Sequence, residues 1–130
     1  IKPHYIKAIK ELIKRFEPIP QSISLLELHE QCKNAVKEDE LIGNSYIFNV
    51  TVEKMQSSSS SYKYKLVCED KFGGFNYFYE YSEPTFVNCN LYTDDESFSN
   101  QSYPRRLRVK GTFNGTNEWG DLVFKDCKLE

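Results

Sequence analysis

With 130 residues, nine Tyr, nine Phe, one Trp and a hydrophobic fraction of 39%, the chain is one packed domain and not a disordered tail. A formal net charge of −2 gives it no whole-molecule attraction to nucleic acid or to an anionic membrane. Charge is nevertheless uneven. Residues 1–20 carry five basic and two acidic side chains, residues 105–130 carry six and four, and the stretch between carries six and thirteen. A polyanion would have to meet the ends of the chain.

In residues 3–16, Tyr5, Ile6, Ile9, Leu12, Ile13 and Phe16 recur at three- and four-residue steps, the stripe of an amphipathic helix, with Lys7, Lys10, Lys14 and Arg15 off it. No run is long and apolar enough to span a membrane, and none has the form of a signal peptide, so a soluble chain is expected. The absence of an initiator Met predicts a processed N-terminus and leaves room for export or lipid anchoring of a longer precursor. Pro18 and Pro20 break the helix, so residues 1–21 read as a helical appendage and residues 22–130 as the main body.

Ser24 and Glu27 have the spacing of a capping box, and the helix after them places Leu25, Leu28, Cys32 and Val36 on one face and ends near residues 37–40. The acidic run Glu38, Asp39 and Glu40 reads as a solvated helix end. His4 and His29 lack a second ligand at metal-binding spacing, and the four cysteines contain no C-x-x-C pair. No metal or cofactor is expected. The cysteines read as small buried hydrophobes, although export would allow one or two disulfides.

Residues 45–55 alternate, with Tyr46, Phe48, Val50 and Val52 on one face. A five-serine loop separates them from residues 62–68, where Tyr62, Tyr64, Leu66 and Cys68 oppose Lys63, Lys65 and Val67. After Gly73-Gly74, Phe75, Tyr77, Tyr79 and Tyr81 share a face up to Pro84. In residues 85–92, Val87, Cys89 and Leu91 form the core face, opposite Phe86, Asn88, Asn90 and Tyr92. Residues 94–104 are loop with at most one helical turn, anchored by Phe98 and Tyr103.

Residues 105–129 form a hairpin. Leu107, Val109, Gly111 and Phe113 share one face and Arg106, Arg108, Lys110 and Thr112 the other, while Leu122, Phe124 and Asp126 oppose Val123, Lys125 and Cys127. Helices followed by five strands predict a mainly β fold, a five-stranded Greek-key OB-fold barrel with two N-terminal α-helices.

The segments LLELHEQCKNAV, FVNCNLY and RLRVKGTFNG followed by DLVFKDCKL resemble bacterial OB-fold proteins of the tRNA anticodon-binding-like (tRNA_anti-like) family. That pattern leads a helix into the first strand, puts a Cys in the third, a Val-x-Gly in the fourth and a Cys in the closing strand. Cys89, Val109 with Gly111, and residues 124–129 fall at those places. Residues 72–84 depart from it as an insertion, and the third-to-fourth connection lacks a clear helix. The resemblance spans roughly residues 25–129 and implies a barrel, with export or lipid anchoring common among its members, and no specific chemistry.

OB-folds that hold single strands combine stacking aromatics with cations. Tyr62, Lys63, Tyr64, Lys65, Tyr77, Tyr79, Arg105, Arg106, Arg108 and Lys110 are the candidates, and Trp119 in the last turn is a candidate anchor for a protein partner. No Ser elbow, phosphate-binding Gly loop or paired His indicates an enzyme. The sequence therefore predicts a non-enzymatic binding module, with a protein partner favoured over single-stranded nucleic acid because the middle of the chain is acidic.

Overall fold

A computed structural model describes residues 20–74 and 83–130. The helix expected over residues 3–16, and the run 75–81 that carries Tyr77 and Tyr79, lie outside the described residues. A two-residue strand β1 (Gln21–Ser22) precedes helices α1 (Leu25–Gln31) and α2 (Ala35–Leu41). Strands β2 (Ser45–Ser57), β3 (Tyr64–Phe72) and β4 (Thr85–Thr93) follow, then a 3-10 helix (Glu96–Asn100), β5 (Arg105–Thr116) and β6 (Leu122–Leu129).

Each strand is hydrogen-bonded to the next in the order β1-β2-β3-β4-β6-β5, and β2 also pairs with β5, which closes the last five into a ring. All pairs in the ring are antiparallel except β4–β6. This is the OB-fold barrel that the strand count predicts. The length of β2 makes closure workable: Ser45–Val52 faces Thr112–Arg105 of β5, and Val52–Ser57 faces Cys68–Tyr64 of β3. A bulge between Val52 and Lys54 marks the handover.

Where β2 parts from β3, a buried carboxylate takes over from the backbone ladder. Asp70 accepts from the Thr51 backbone N–H at 2.9 Å, from Thr51 Oγ1 at 2.8 Å and from Arg106 Nη1 at 2.9 Å. Its charge is thereby paired, and it gives Thr51 N–H an acceptor that β3 does not supply there.

Alternation fills the interior as the sequence dictates. Phe48, Val50, Val52, Leu66, Cys68, Val87, Cys89, Leu91, Val109, Phe113, Leu122 and Phe124 are buried. The Phe124 ring lies 4.3 Å from that of Phe48 and 5.5 Å from that of Phe113, centroid to centroid. Leu25 and Leu28 of α1 and Phe98 of the 3-10 helix complete the core. Tyr103 is anchored by donating from its hydroxyl to the Phe98 carbonyl at 2.6 Å.

Three local expectations are overturned. The single helix from Ser24 is two seven-residue helices, because the Asn34 side chain accepts from the N–H groups of Val36 and Lys37 and starts a new one. Ser24 itself makes no side-chain cap, and Val36, expected on the apolar face, is exposed. Glu38 is no solvated helix end: its carboxylate accepts from the Thr116 N–H at 2.7 Å and from the Thr116 hydroxyl, tying α2 to β5. The phase of β6 also slips. Lys125 opposes Thr112 and Lys128 opposes Lys110, so β6 holds one residue more than β5, and Asp126 absorbs it at φ 52°. Cys127, not Asp126, therefore turns inward with Leu122 and Phe124. Gly111 makes the room, since a Cβ there would lie 2.8 Å from the Cys127 sulfur.

Candidate functional site

Because alternate residues of a strand face opposite ways, the buried set of β3 and β4 fixes an outer set in register. Lys65 lies opposite Tyr92, Val67 opposite Asn90, Glu69 opposite Asn88 and Lys71 opposite Phe86. Past the bulge, β2 adds Lys54 beside Val67 and Gln56 beside Lys65. On the other flank β6 places Val123 beside Asn90, and Lys125 follows one residue beyond the Leu91–Phe124 pair. The outer face of β4 thus reads Phe86, Asn88, Asn90, Tyr92. Lysines stand on both sides of it, and Phe86 is half exposed.

Among the described residues none of Lys54, Lys65, Lys71 and Lys125 is in an ion pair. Glu69 is the acidic side chain on the outer face of β3. Cations in register with aromatic residues, outside any ion pair among the described residues, suit a ligand carrying both phosphates and π faces.

Beyond Tyr92, past the edge of this face, the sign is the opposite. The Tyr62 ring lies 6.1 Å from that of Tyr92, and its hydroxyl donates to Asp126 at 2.9 Å. Desolvation and then that hydrogen bond push the Tyr62 hydroxyl up. Lys63 and Tyr64 both donate to Glu96, at 2.9 and 2.7 Å. The Tyr64 and Lys63 bonds hold the Glu96 carboxyl below its usual range. Tyr62 also borders a cleft of about 420 Å³ lined by Asp94, Asp95 and Asp126 together with Lys128. Burial alone would raise the Asp95 carboxyl, but N–H groups of Leu129 and Ser97 donate to it and hold it below its usual range. The described residues contain no group of His, Cys, Asp and Glu suited to a metal ion.

The predicted site residues are therefore divided. Lys65 lies on the β3–β4 face with Tyr62 at its edge, whereas Lys63 and Tyr64 are turned onto Glu96. Arg105, Arg106, Arg108 and Lys110 run along β5 opposite Val52, Thr51, Asn49 and Ile47, so β2 stands between them and β3. Arg106 is committed to Asp70, and Arg108 reaches Ser22 Oγ at 3.4 Å. Trp119 is 76% exposed in a turn organised by Asn117, whose side-chain oxygen accepts from the N–H groups of Trp119 and Asp121. Tyr77 and Tyr79 lie outside the described residues. Lys54, Lys71, Phe86, Asn88, Asn90, Tyr92 and Lys125 share this face and were not among the sequence candidates. The phase of residues 85–92 already set four of these opposite the core, and the signal lacking was which strands would flank β4.

All four cysteines are free, Cys32 half-buried and the others buried. Burial, with a contribution from Glu38, pushes the Cys32 thiol up to about 11, and burial raises the thiols of Cys68, Cys89 and Cys127. Among the described residues no helix is long and apolar enough to cross a membrane.

No protein-family model matches the chain, and no curated protein sequence does. Among solved structures it is similar to the crystal structure of a "putative nucleic acid-binding lipoprotein" from Klebsiella pneumoniae subsp. pneumoniae MGH 78578. The TM-score is 0.55 at 9% sequence identity, over 100% of this chain and 98% of that one. The two share a fold.

Proposed function

We propose that the chain is a non-enzymatic OB-fold module that binds single-stranded nucleic acid across the outer face of β3 and β4. The observation that carries this reading is the placement of four lysines, none in an ion pair among the described residues, around Phe86 and Tyr92. Phosphates find cations there and bases find rings, while the acidic cleft beyond Tyr62 repels the strand and sets one limit of the site. The description of the Klebsiella protein points the same way, and the resemblance to the tRNA anticodon-binding-like family supports the barrel. They also support a lipid-anchored precursor.

The test is titration of a labelled single-stranded oligonucleotide at low salt. Phe86→Ala and Tyr92→Ala should each weaken binding by about 1–3 kcal/mol, the worth of one stacked base. No binding by the wild type refutes the reading. A protein partner is the second reading, favoured by the exposure of Trp119. It would show as a partner released by Trp119→Ala but retained by Lys65→Gln.

A further inference from the structure

Two of the buried thiols are neighbours across a pair of strands. Cys68 of β3 lies directly opposite Cys89 of β4 in the antiparallel register, and each is 1% exposed, on the inner face of the barrel. Facing residues of an antiparallel pair have Cα atoms about 4.5 or 5.5 Å apart, according to whether they exchange backbone hydrogen bonds. A disulfide spans Cα separations of about 4.4–6.8 Å, so either geometry admits one. The two sulfurs also feel each other. Burial first, and then the charge of Cys89, push the Cys68 thiol up. In the free form Cys68 Sγ donates to the Leu66 carbonyl at 3.8 Å, a weak bond that is readily given up.

The backbone keeps the other cysteines apart from this pair. The Cys127 carbonyl accepts from Thr93 Oγ1, which places Cys127 near the end of β4, four residues on from Cys89. At strand spacing that is about 13 Å along β4, beyond the span of a disulfide. Cys32 closes α1, away from the strands of the ring, and is half-buried.

We infer that Cys68 and Cys89 are a disulfide-forming pair, which joins β3 to β4 when the chain folds in an oxidising medium and stays reduced elsewhere. The oxidant is a small-molecule disulfide of the glutathione class. The thiolate of one cysteine attacks it, giving a mixed disulfide and releasing half of the oxidant. The second cysteine, having lost its proton, attacks the protein sulfur of that mixed disulfide and expels the other half. One S–S bond breaks and one forms, and two electrons and two protons leave with the oxidant as two thiols. In the finished fold both thiols are covered and held protonated by burial, so the bond forms before the interior closes. It ties together the two strands that carry the candidate face, yet it stands whether or not that face binds nucleic acid.

The experiment refolds the full chain from denaturant in a buffer of reduced and oxidised glutathione, alkylates the remaining thiols under denaturing conditions, and maps unreduced peptides by mass spectrometry. The wild type should yield one cross-linked peptide pair holding Cys68 and Cys89, lighter by about 2 Da for the two hydrogens lost, with Cys32 and Cys127 alkylated. Cys32→Ala should keep the bond and Cys89→Ala should abolish it. The linked protein should keep the circular dichroism of the reduced one and unfold about 5 °C or more higher. Four free thiols after refolding, a bond between any other pair, or a linked form with altered circular dichroism overturns the inference. The wild-type map decides it even where an alanine variant fails to fold.

Discussion

If the β3–β4 face holds a phosphate backbone, its lysines set how binding responds to salt. With Lys54, Lys65, Lys71 and Lys125 each neutralising one phosphate, the slope of log K against log salt is about −2.8 for a single strand. Raising salt from about 50 to about 200 mM should then weaken binding about 50-fold. Replacing Lys65 and Lys125 by Gln removes two of the four, so the slope should fall to about −1.4 and the same change of salt should cost only about 7-fold. Both side chains lie on the outer face and outside any ion pair among the described residues, so thermal unfolding should be nearly unchanged. Fluorescence anisotropy of a labelled oligonucleotide at four or five salt concentrations measures the slope directly. The control is Arg105→Gln with Arg108→Gln, on the face across β2; Arg106 is left alone because it serves Asp70. A slope that follows the arginine pair, or one unmoved by the lysine pair, refutes the placement of the strand on β3 and β4.

Three further outcomes concern the scaffold. Asp70→Ala should cost about 3 kcal/mol in chemical denaturation, because it strands the Thr51 N–H and leaves Arg106 unpaired; a cost below about 1 kcal/mol would mean that water replaces the carboxylate. Gly111→Ala should cost about 1–3 kcal/mol, since its Cβ would collide with the Cys127 sulfur, and Cys127→Ala in the same chain should restore part of the loss. Thiol alkylation of the native protein should be slow at neutral pH. A raised pKa leaves the thiol protonated, so only half-buried Cys32 should react measurably, faster as pH climbs toward about 11, and prompt labelling of several cysteines at neutral pH would contradict the burial.

The barrel was legible because burial on one face of a strand writes itself into every second residue. Tyr46 to Val52, Val87 to Leu91 and Leu107 to Phe113 obey that rule without interruption, and five such runs in this order leave few closed topologies. What could not be read were the places where a single residue changes the phase. Asp126 takes a positive φ and reverses the facing of everything after it, yet in sequence it is one acidic residue in an alternating run. Asn34 is an ordinary polar residue in a helical pattern until its side chain caps a new helix. Glu38 looks like part of an acidic surface because its partner, Thr116, lies 78 residues away.

The candidate site was hidden by a different cause. Segment charge sums added the cations of β5 together and favoured its arginines, whereas a face is assembled across strands whose adjacency exists only after folding. Lys54, Lys65, Lys71, Lys125, Phe86 and Tyr92 come from four strands and share no motif. The acidic middle of the chain, which favoured a protein partner, also loses force once placed. Exposed charges act over roughly 8 Å at physiological salt. Glu38 is bonded to β5, and Asp70 is paired with Arg106 at the β2–β5 side. Asp94, Asp95 and Asp126 gather in one cleft at the Tyr62 edge. A net charge of −2 is thus compatible with a locally basic β3–β4 face on which Glu69 is the one acid of β3, the acids of the cleft lying beyond its Tyr62 edge.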